Sequence, residues 1–380
     1  MQYRNFGKLD WQVSALGFGC MRLPILDTQQ PSPNIDEPEA IRMIRHAVDN
    51  GVNYLDSAYV YHVGRSEVVL GRALAGGYRE RVRVATKLPL WEFSGPDDFD
   101  RLLDEQLDRL QTGYIDFYLL HALNRGLWRD VVLRHNLLAK AEAALASGKI
   151  RHLGFSFHDD YEAFEEILNG TDLWDFCQIQ LNYMDIENQA GVRGLRLAAG
   201  KGLAVVIMEP LLGGRLADPP TSIRAEMDAF PVRRTPAALA LSWLWNQPEV
   251  SVVLSGMSTM PQVEENLQSA SASGIGIFTK EEESLIASVR EKYRARTAIP
   301  CTKCNYCMPC PNGVNIPGNF EIYNHVFLYD ALEDARVRYK IFLSEAQRSS
   351  SCIDCGVCSE VCPQHIHISE WMPKITALLA

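Results

Sequence analysis

The chain has 380 residues, a formal charge of −10 at pH 7, 47% hydrophobic residues and 22% charged residues, which suits one large domain plus one small one with a sizeable core. The acidic balance, with no cluster of Lys and Arg, argues against nucleic acid as a partner, because phosphate backbones are bound by grouped positive charge. The opening MQYRNFGKLDWQV lacks the apolar and small-residue segments of a secretory leader, and no run approaches the ~18 apolar residues of a spanning helix, so a cytoplasmic protein with no membrane contact is expected.

Short apolar runs alternate with helical patterns up to about residue 292. Strands are expected at VSALGFG from Val13, NYLD from Asn53, VRVATK from Val82, IDFYLLH from Ile115, RHLGFS from Arg151, FCQIQL from Phe176, LAVVIM from Leu203 and SVVLSG from Ser251. Between them, DDFDRLLDEQLDRLQT sets Phe99, Leu102, Leu103, Leu107 and Leu110 near a period of 3.6, with Pro96 and Asp97 as its start and Gly113 as its stop. A second helix is expected from Leu137 to Ser147, stopped by Gly148. Strands alternating with helices imply parallel βαβ units, and eight of them match an α/β fold of the (β/α)₈ TIM-barrel type, typically ~250 residues long. A doubly wound open sheet is the competing fold, but no GxGxxG follows the first strand.

Beyond Lys292 the texture changes. RARTAIPCTKCNYCMPCPNGVNIPGN is dense in Cys, Pro, Gly and Asn. Residues from Phe320 to Gln347 have helical character, and a second cysteine run and the amphipathic ISEWMPKITALLA follow. A boundary near residue 295 divides the chain into a barrel, 1–295, and a small, mostly helical domain, 296–380.

Reactive groups in such a barrel sit at the C-terminal ends of strands. Those ends carry Asp56, Lys87 and His121, with Tyr61 five residues past Asp56. Hydride reaching a carbonyl carbon leaves a developing alkoxide that needs a proton and electrostatic help. A tyrosine hydroxyl can give that proton, and the neighbouring Lys87 ammonium is expected to lower its pKa from about 10. Asp56 would hold Lys87, and His121 would orient the substrate oxygen. His62 and His158 flank the same loops and are candidates for touching substrate. Cys20 and Cys177 fall in expected strands and read as buried, inert thiols.

The stretches LDSAYVYHVGRSEVVLGRAL, VATK, DFYLLH, SGKIRHLGFS and VVLSGMSTMPQVEENL, in this order, make residues 2 to 290 resemble the aldo-keto reductase family. The resemblance implies a nicotinamide cofactor, NADPH or NADH, a small carbonyl or alcohol substrate, and the catalytic tetrad Asp56, Tyr61, Lys87 and His121. It also implies that Ser156 and Gln178 hold the nicotinamide carboxamide, that Ser255 and Gly256 begin a phosphate-facing loop reaching Thr259, and that Glu265 and Asn266 lie near the adenine. Three positions depart from the family. Met208 stands where an aromatic residue stacks on the nicotinamide, and reads as packing. Phe157 replaces the Asn that follows the carboxamide Ser. Gln262 replaces the basic residue that reads the 2′-phosphate, so no charge there selects NADPH over NADH.

Of the ten cysteines, eight lie between residues 301 and 362. In a cytosolic chain, thiols in tight runs point to metal or cluster ligation rather than disulfides. Cys352, Cys355, Cys358 and Cys362, followed by Pro363, have the C-x₂-C-x₂-C-x₃-C-P spacing of 4Fe–4S ferredoxins. Cys301, Cys304, Cys307 and Cys310, followed by Pro311, repeat it with x₂ in the last gap. Zinc is the competing metal, but its structural sites usually draw two separated Cys pairs. This half resembles helical two-cluster ferredoxin modules, which implies two 4Fe–4S clusters with the fourth cysteine of each run serving the other cluster. One cluster would then take Cys301, Cys304, Cys307 and Cys362, and the other Cys352, Cys355, Cys358 and Cys310. The shortened gap leaves open that each run holds its own cluster, or that one cluster forms.

Two functions follow. The first is a nicotinamide-linked carbonyl/alcohol oxidoreductase whose clusters transfer electrons, through a ferredoxin or similar protein partner, or sense redox state. The second is a non-catalytic nucleotide-sensing or electron-transfer subunit of a larger redox complex.

Overall fold

The computed structural model of the chain describes residues 1–27, 32–95, 97–231 and 234–380; the helix start expected at Pro96 lies outside them. A hairpin comes first, β1 (Tyr3–Phe6) against β2 (Leu9–Ser14). Eight parallel strands follow: β3 (Leu16–Gly19), β4 (Tyr54–Asp56), β5 (Arg83–Leu88), β6 (Ile115–Leu123), β7 (Ile150–Phe157), β8 (Trp174–Gln180), β9 (Ala204–Met208) and β10 (Val252–Gly256). They close in sequence order, β10 pairing β3, into a barrel. Each of the eight expected strands is present. The one misreading is at the first, where Val13 and Ser14 end β2 and the barrel strand begins only at Leu16.

The hairpin has a physical role that apolar alternation did not reveal. Phe6 and Val13 join Tyr54, Ala85, Phe117, Phe176 and Val252 in the core inside the barrel, with Leu9 and Trp11 packed against it. The Phe6 ring lies 4.6 Å from Phe117. The Arg83 guanidinium at the start of β5 lies over Trp11, so the hairpin caps the N-terminal end of the barrel and leaves the C-terminal end for the site.

The helices pack outside. Phe99, Leu102, Leu103, Leu107 and Leu110 are all buried on the helix Asp98–Leu110. That helix ends before Gly113: Gln111 adopts a left-handed conformation, φ 54°, and donates back to Asp108 and Leu107 carbonyls. The helix Leu137–Ser147 ends at Gly148, φ 77°, as its sequence predicts, because only glycine takes that conformation without a Cβ penalty.

By internal contacts the chain forms two compact units, Met1–Ala217 with Arg234–Thr279, and Asp218–Arg233 with Lys280–Ala380. The second unit is helical. Its helices Ile316–Tyr329, Leu332–Phe342 and Ile368–Leu379 enclose a core of Ile299, Phe320, Ile322, Tyr339, Met372 and Ile375. Two asparagines of Ile316–Tyr329 tie down the cysteine runs. Asn324 accepts from the Ile299 N–H and donates to its carbonyl, both at 2.8 Å, just before Cys301. Asn319 accepts from the Ser349 N–H at 2.8 Å, just before Cys352. Among the described residues no helix is long and apolar enough to cross a membrane.

Candidate functional site

The register of the barrel brings the expected reactive groups to one rim. Gly19 pairs with Asp56, Lys87 with Leu119 and Ser156 with Gln178. Lys87, fully buried, donates from Nζ to Asp56 Oδ1 at 2.7 Å, to the Ser57 carbonyl at 2.7 Å and to the Tyr61 hydroxyl at 3.3 Å. The Tyr61 ring meets His121 edge-on at 6.1 Å, and the Trp91 ring lies 5.0 Å from His121 on its exposed side of the rim. All four tetrad positions therefore share one site.

His121 is aimed by a local irregularity. The β6–β7 register shifts between Leu120 and Leu123, and Ala122 takes a positive φ of 53°. Such bulges re-aim side chains beside active sites. The Ala122 N–H, lost from the ladder, is received by the Ser156 hydroxyl at 2.8 Å. Ser156 thus supports the bulge through one lone pair and keeps its own hydroxyl proton available.

Electrostatics sets protonation. Burial alone would lower the Lys87 ammonium, yet Asp56 and Tyr61 overcome it and hold Lys87 above its ordinary value. Burial raises Asp56 against the pull of Lys87; two such groups titrate as a pair. Burial also pushes the Tyr61 phenol above its ordinary 10.0, outweighing Lys87. This corrects the expectation that the ammonium would lower it: desolvation of the phenolate is the larger effect. Burial, followed by the charges of Lys87 and His158, holds His121 well below 6.5. The site therefore presents a protonated phenol and a neutral imidazole at neutral pH.

A buried network supports Lys87 and the Tyr61 loop from behind. The Glu67 carboxylate accepts from Thr86 at 2.5 Å, Gln106 at 2.6 Å and Arg109 at 3.3 Å. Gln106 also donates to the Lys87 carbonyl, and Arg109 to the Tyr59 carbonyl, each at 3.1 Å. Its spacing along the sequence showed nothing: the partners come from two helices and a strand.

The positions expected to hold a dinucleotide fall beside this rim. Gln178 donates to the Met208 sulfur at 3.5 Å, and its Oε1 is buried without a hydrogen-bond partner; a carboxamide NH₂ is the kind of donor it lacks. Asn266 donates to the Ser255 hydroxyl at 3.0 Å. The Gln262 side-chain oxygen accepts from the Ser258 N–H at 2.8 Å, closing the loop after Gly256. Glu265 accepts from the Thr235 hydroxyl. Arg22 is a residue that sequence reasoning missed. Its carbonyl accepts from the Ser258 hydroxyl at 2.7 Å, and a Cβ at Gly256 would stand 3.0 Å from Arg22 Cγ. Bare glycine thus lets a guanidinium-bearing side chain approach the loop expected to face phosphates. The available signal was a basic residue just past the first barrel strand.

Cys20 and Cys177 are fully buried, and burial raises both thiols far above their ordinary range. The other eight cysteines line two hollows. One is bordered by Cys301, Cys304, Cys307 and Cys362. The other is bordered by Cys310, Cys352, Cys355 and Cys358, and also touches Cys307. Cys301 feels the charges of Cys304 and Cys362, and Cys358 those of Cys352 and Cys355. In both runs an N–H two residues on points at the first thiol: Lys303 to Cys301 at 3.4 Å and Asp354 to Cys352 at 3.5 Å. Among the described residues no three His, Cys, Asp or Glu side chains converge as on a single metal ion. A 4Fe–4S cube spreads its four thiolates over four irons, whereas zinc gathers them on one. Each hollow brings three cysteines of one run together with at least one of the other, a donor set of the kind such a cube takes.

Residues 15–230 match the Aldo/keto reductase family, and residues 300–366 match the 4Fe-4S dicluster domain. The chain belongs to the aldo/keto reductase family of oxidoreductases and carries a C-terminal 4Fe–4S dicluster domain. An uncharacterized oxidoreductase, YrpG, from Bacillus subtilis is 26% identical over 313 residues, 72% of this chain and 92% of that protein. The aldo-keto reductase AKR11C1 from Bacillus halodurans (holo form) superposes with a TM-score of 0.63 at 26% identity, covering 76% of this chain and 96% of that one. An aldo/keto reductase from Klebsiella pneumoniae, solved in complex with NADP and acetate, superposes with a TM-score of 0.60 at 25% identity, covering 76% and 95%.

Proposed function

We propose that the protein transfers hydride between a nicotinamide dinucleotide and a small carbonyl/alcohol pair at the rim formed by Asp56, Tyr61, Lys87 and His121. The observation that carries this reading is the Lys87 ammonium bonded at once to the Asp56 carboxylate and the Tyr61 phenol. Gln178 and Ser156 would hold the carboxamide, Met208 would pack on the ring, the loop from Ser255 and Gly256 would receive the phosphates, and Gln262, Glu265 and Asn266 would line the adenosine end. The bound cofactor supplies hydride. Tyr61 gives its proton to the carbonyl oxygen, Lys87 stabilises the phenolate left behind, and neutral His121 hydrogen-bonds the same oxygen.

We assign the cysteine-lined hollows to two 4Fe–4S clusters on the domain of residues 296–380, which would supply one-electron transfer to an external carrier or sense redox state. Cys301, Cys304, Cys307 and Cys362 would hold one, and Cys310, Cys352, Cys355 and Cys358 the other. The two hollows, each bordered by three cysteines of one run and at least one of the other, support this division.

The pH profile separates the acid from its neighbours. For carbonyl reduction the acid must be protonated. Tyr61 lies above 10.0 and keeps its proton through neutrality, while His121 lies well below 6.5 and stays neutral. The kcat/KM for reduction is therefore expected to be flat from about pH 7 to 9 and to fall only above about 10, where the phenol ionises. Alcohol oxidation needs the phenolate and is expected to rise over that same alkaline range. A reduction profile that falls with a midpoint near 6.5 would assign the proton to an imidazole instead.

A further inference from the structure

We propose that Glu67 is a positioning residue for the proton transfer: from the helix side of the barrel wall, its carboxylate fixes the loop that carries Tyr61 against the strand that carries Lys87, and so sets the contact between phenol and ammonium. This rests on the hydride-transfer reading above and adds to it a residue that touches neither substrate nor cofactor.

The contact joins two separate pieces of chain. Lys87 lies on β5, whereas Tyr61 lies on the loop that leaves β4 after Asp56 and enters the helix Ser66–Ala73. Lys87 Nζ is held closely to the foot of that loop, 2.7 Å from both Asp56 Oδ1 and the Ser57 carbonyl, but reaches the Tyr61 hydroxyl at 3.3 Å. The two short bonds do not fix the third, because Tyr61 stands further along the loop. The rest of the loop has to be placed by something else. Its ends are drawn together by the Ser57 and Ser66 hydroxyls, 2.9 Å apart, and the Tyr61 carbonyl accepts from the Gly64 and Ser66 N–H groups. Tyr61 therefore moves with Ser66, and Glu67 is the next residue.

Alternation along β5 turns Ala85 and Lys87 into the barrel and Thr86 outward, toward the helices. Glu67 meets Thr86 on that outer side, fully buried. Its Oε1 accepts from the Thr86 hydroxyl at 2.5 Å and from the Gln106 amide at 2.6 Å, and the same amide donates to the Lys87 carbonyl at 3.1 Å. Its Oε2 accepts from Arg109 at 3.3 Å. That guanidinium lies over the Tyr59 ring at 4.0 Å and donates to the Tyr59 carbonyl at 3.1 Å, just before Tyr61. One carboxylate thus reaches the strand of Lys87 and both flanks of Tyr61.

The residue type suits the task. An ionised carboxylate only accepts, and all three of its partners donate; a carboxamide would turn an N–H toward one of them. Burial raises Glu67, while Thr86, Gln106 and Arg109, the charged group that faces it, pull it back down.

The test uses the full chain with its clusters, a panel of small aldehydes and ketones, and NADPH and NADH in turn. Thr86→Val removes one donor and keeps the Glu67–Arg109 ion pair, so it is the variant expected to fold; Thr86→Ser keeps the hydroxyl. Thr86→Val is expected to lower kcat/KM for reduction about tenfold, as a displaced reacting group does, with nucleotide affinity unchanged. Its alkaline midpoint is expected to move to higher pH. A phenol drawn away from Lys87 loses the charge that favours its ionisation, while burial, Asp56 and Glu209, which oppose ionisation, remain. Thr86→Ser is expected to follow the unaltered protein, and Glu67→Gln to change in the same direction as Thr86→Val and further. Added to Tyr61→Phe, Thr86→Val is expected to cost little more, because no phenol is left to place. An unmoved midpoint in Thr86→Val, or a loss that persists in full in the Tyr61→Phe background, overturns this inference alone. No turnover by the unaltered protein with either nucleotide overturns the hydride-transfer reading and this inference with it.

Discussion

Tyr61→Phe is expected to lower the rate of carbonyl reduction by about 10²–10⁴-fold, the usual worth of a positioned general acid, while the dissociation constant for the nicotinamide nucleotide changes little. The substitution removes one oxygen, the atom 3.3 Å from Lys87 Nζ, and leaves the ring that meets His121. Lys87 and Asp56 are poorer places to test the same idea. Both are buried in one ion pair, and deleting one partner of such a pair costs about 3–5 kcal/mol by leaving the other charge uncompensated. A loss of activity there would confuse stability with chemistry. Rapid-mixing kinetics and nucleotide titration on the same preparation check the prediction. Unchanged turnover in Tyr61→Phe would move the proton source to His121 or water. Tight nucleotide binding with no turnover in either form would favour a nucleotide-sensing subunit.

Paired cysteine substitutions are expected to separate crossed from uncrossed ligation. With crossing, Cys301 and Cys362 serve one cluster, so Cys301→Ser with Cys362→Ser disables that cluster and leaves about four irons per chain. Cys301→Ser with Cys310→Ser then strikes both clusters, and iron falls well below that. Without crossing the two outcomes exchange. The unaltered protein, purified without oxygen, is expected to hold about eight irons and matching sulfide. Iron and sulfide analysis, with absorbance near 400 nm, reads all three preparations. Zinc in place of iron, with no labile sulfide, would contradict the cluster assignment altogether.

The barrel was legible because its signals are local. Eight apolar runs separated by helical periods imply parallel strands, and burying a 3.6-period stripe fixes helices such as Asp98–Leu110. The shared position of Asp56, Lys87 and His121 was legible because strand ends in this architecture converge by geometry, so they could be placed at one rim without knowing a distance. What the sequence hid depends on contacts remote along the chain. The hairpin of β1 and β2 reads as a short polar-apolar alternation, and its purpose appears only when Phe6 meets Phe117.

The bulge at Ala122 has no glycine to announce it; a non-glycine residue takes the left-handed conformation there because Ser156 repays the lost ladder bond. The Tyr61 expectation erred for a related reason. Charge neighbours can be guessed from spacing, but the depth of burial that outweighs them cannot.

The most direct test of hydride transfer at this rim follows an isotope. With NADPH or NADH carrying deuterium at the reactive C4 position, the alcohol formed from a carbonyl substrate is expected to carry that deuterium on the former carbonyl carbon, read by mass spectrometry, in the presence of excess ordinary water. Alcohol without the label would mean that electrons reach the substrate by another route, with its hydrogen drawn from solvent, and would contradict the account.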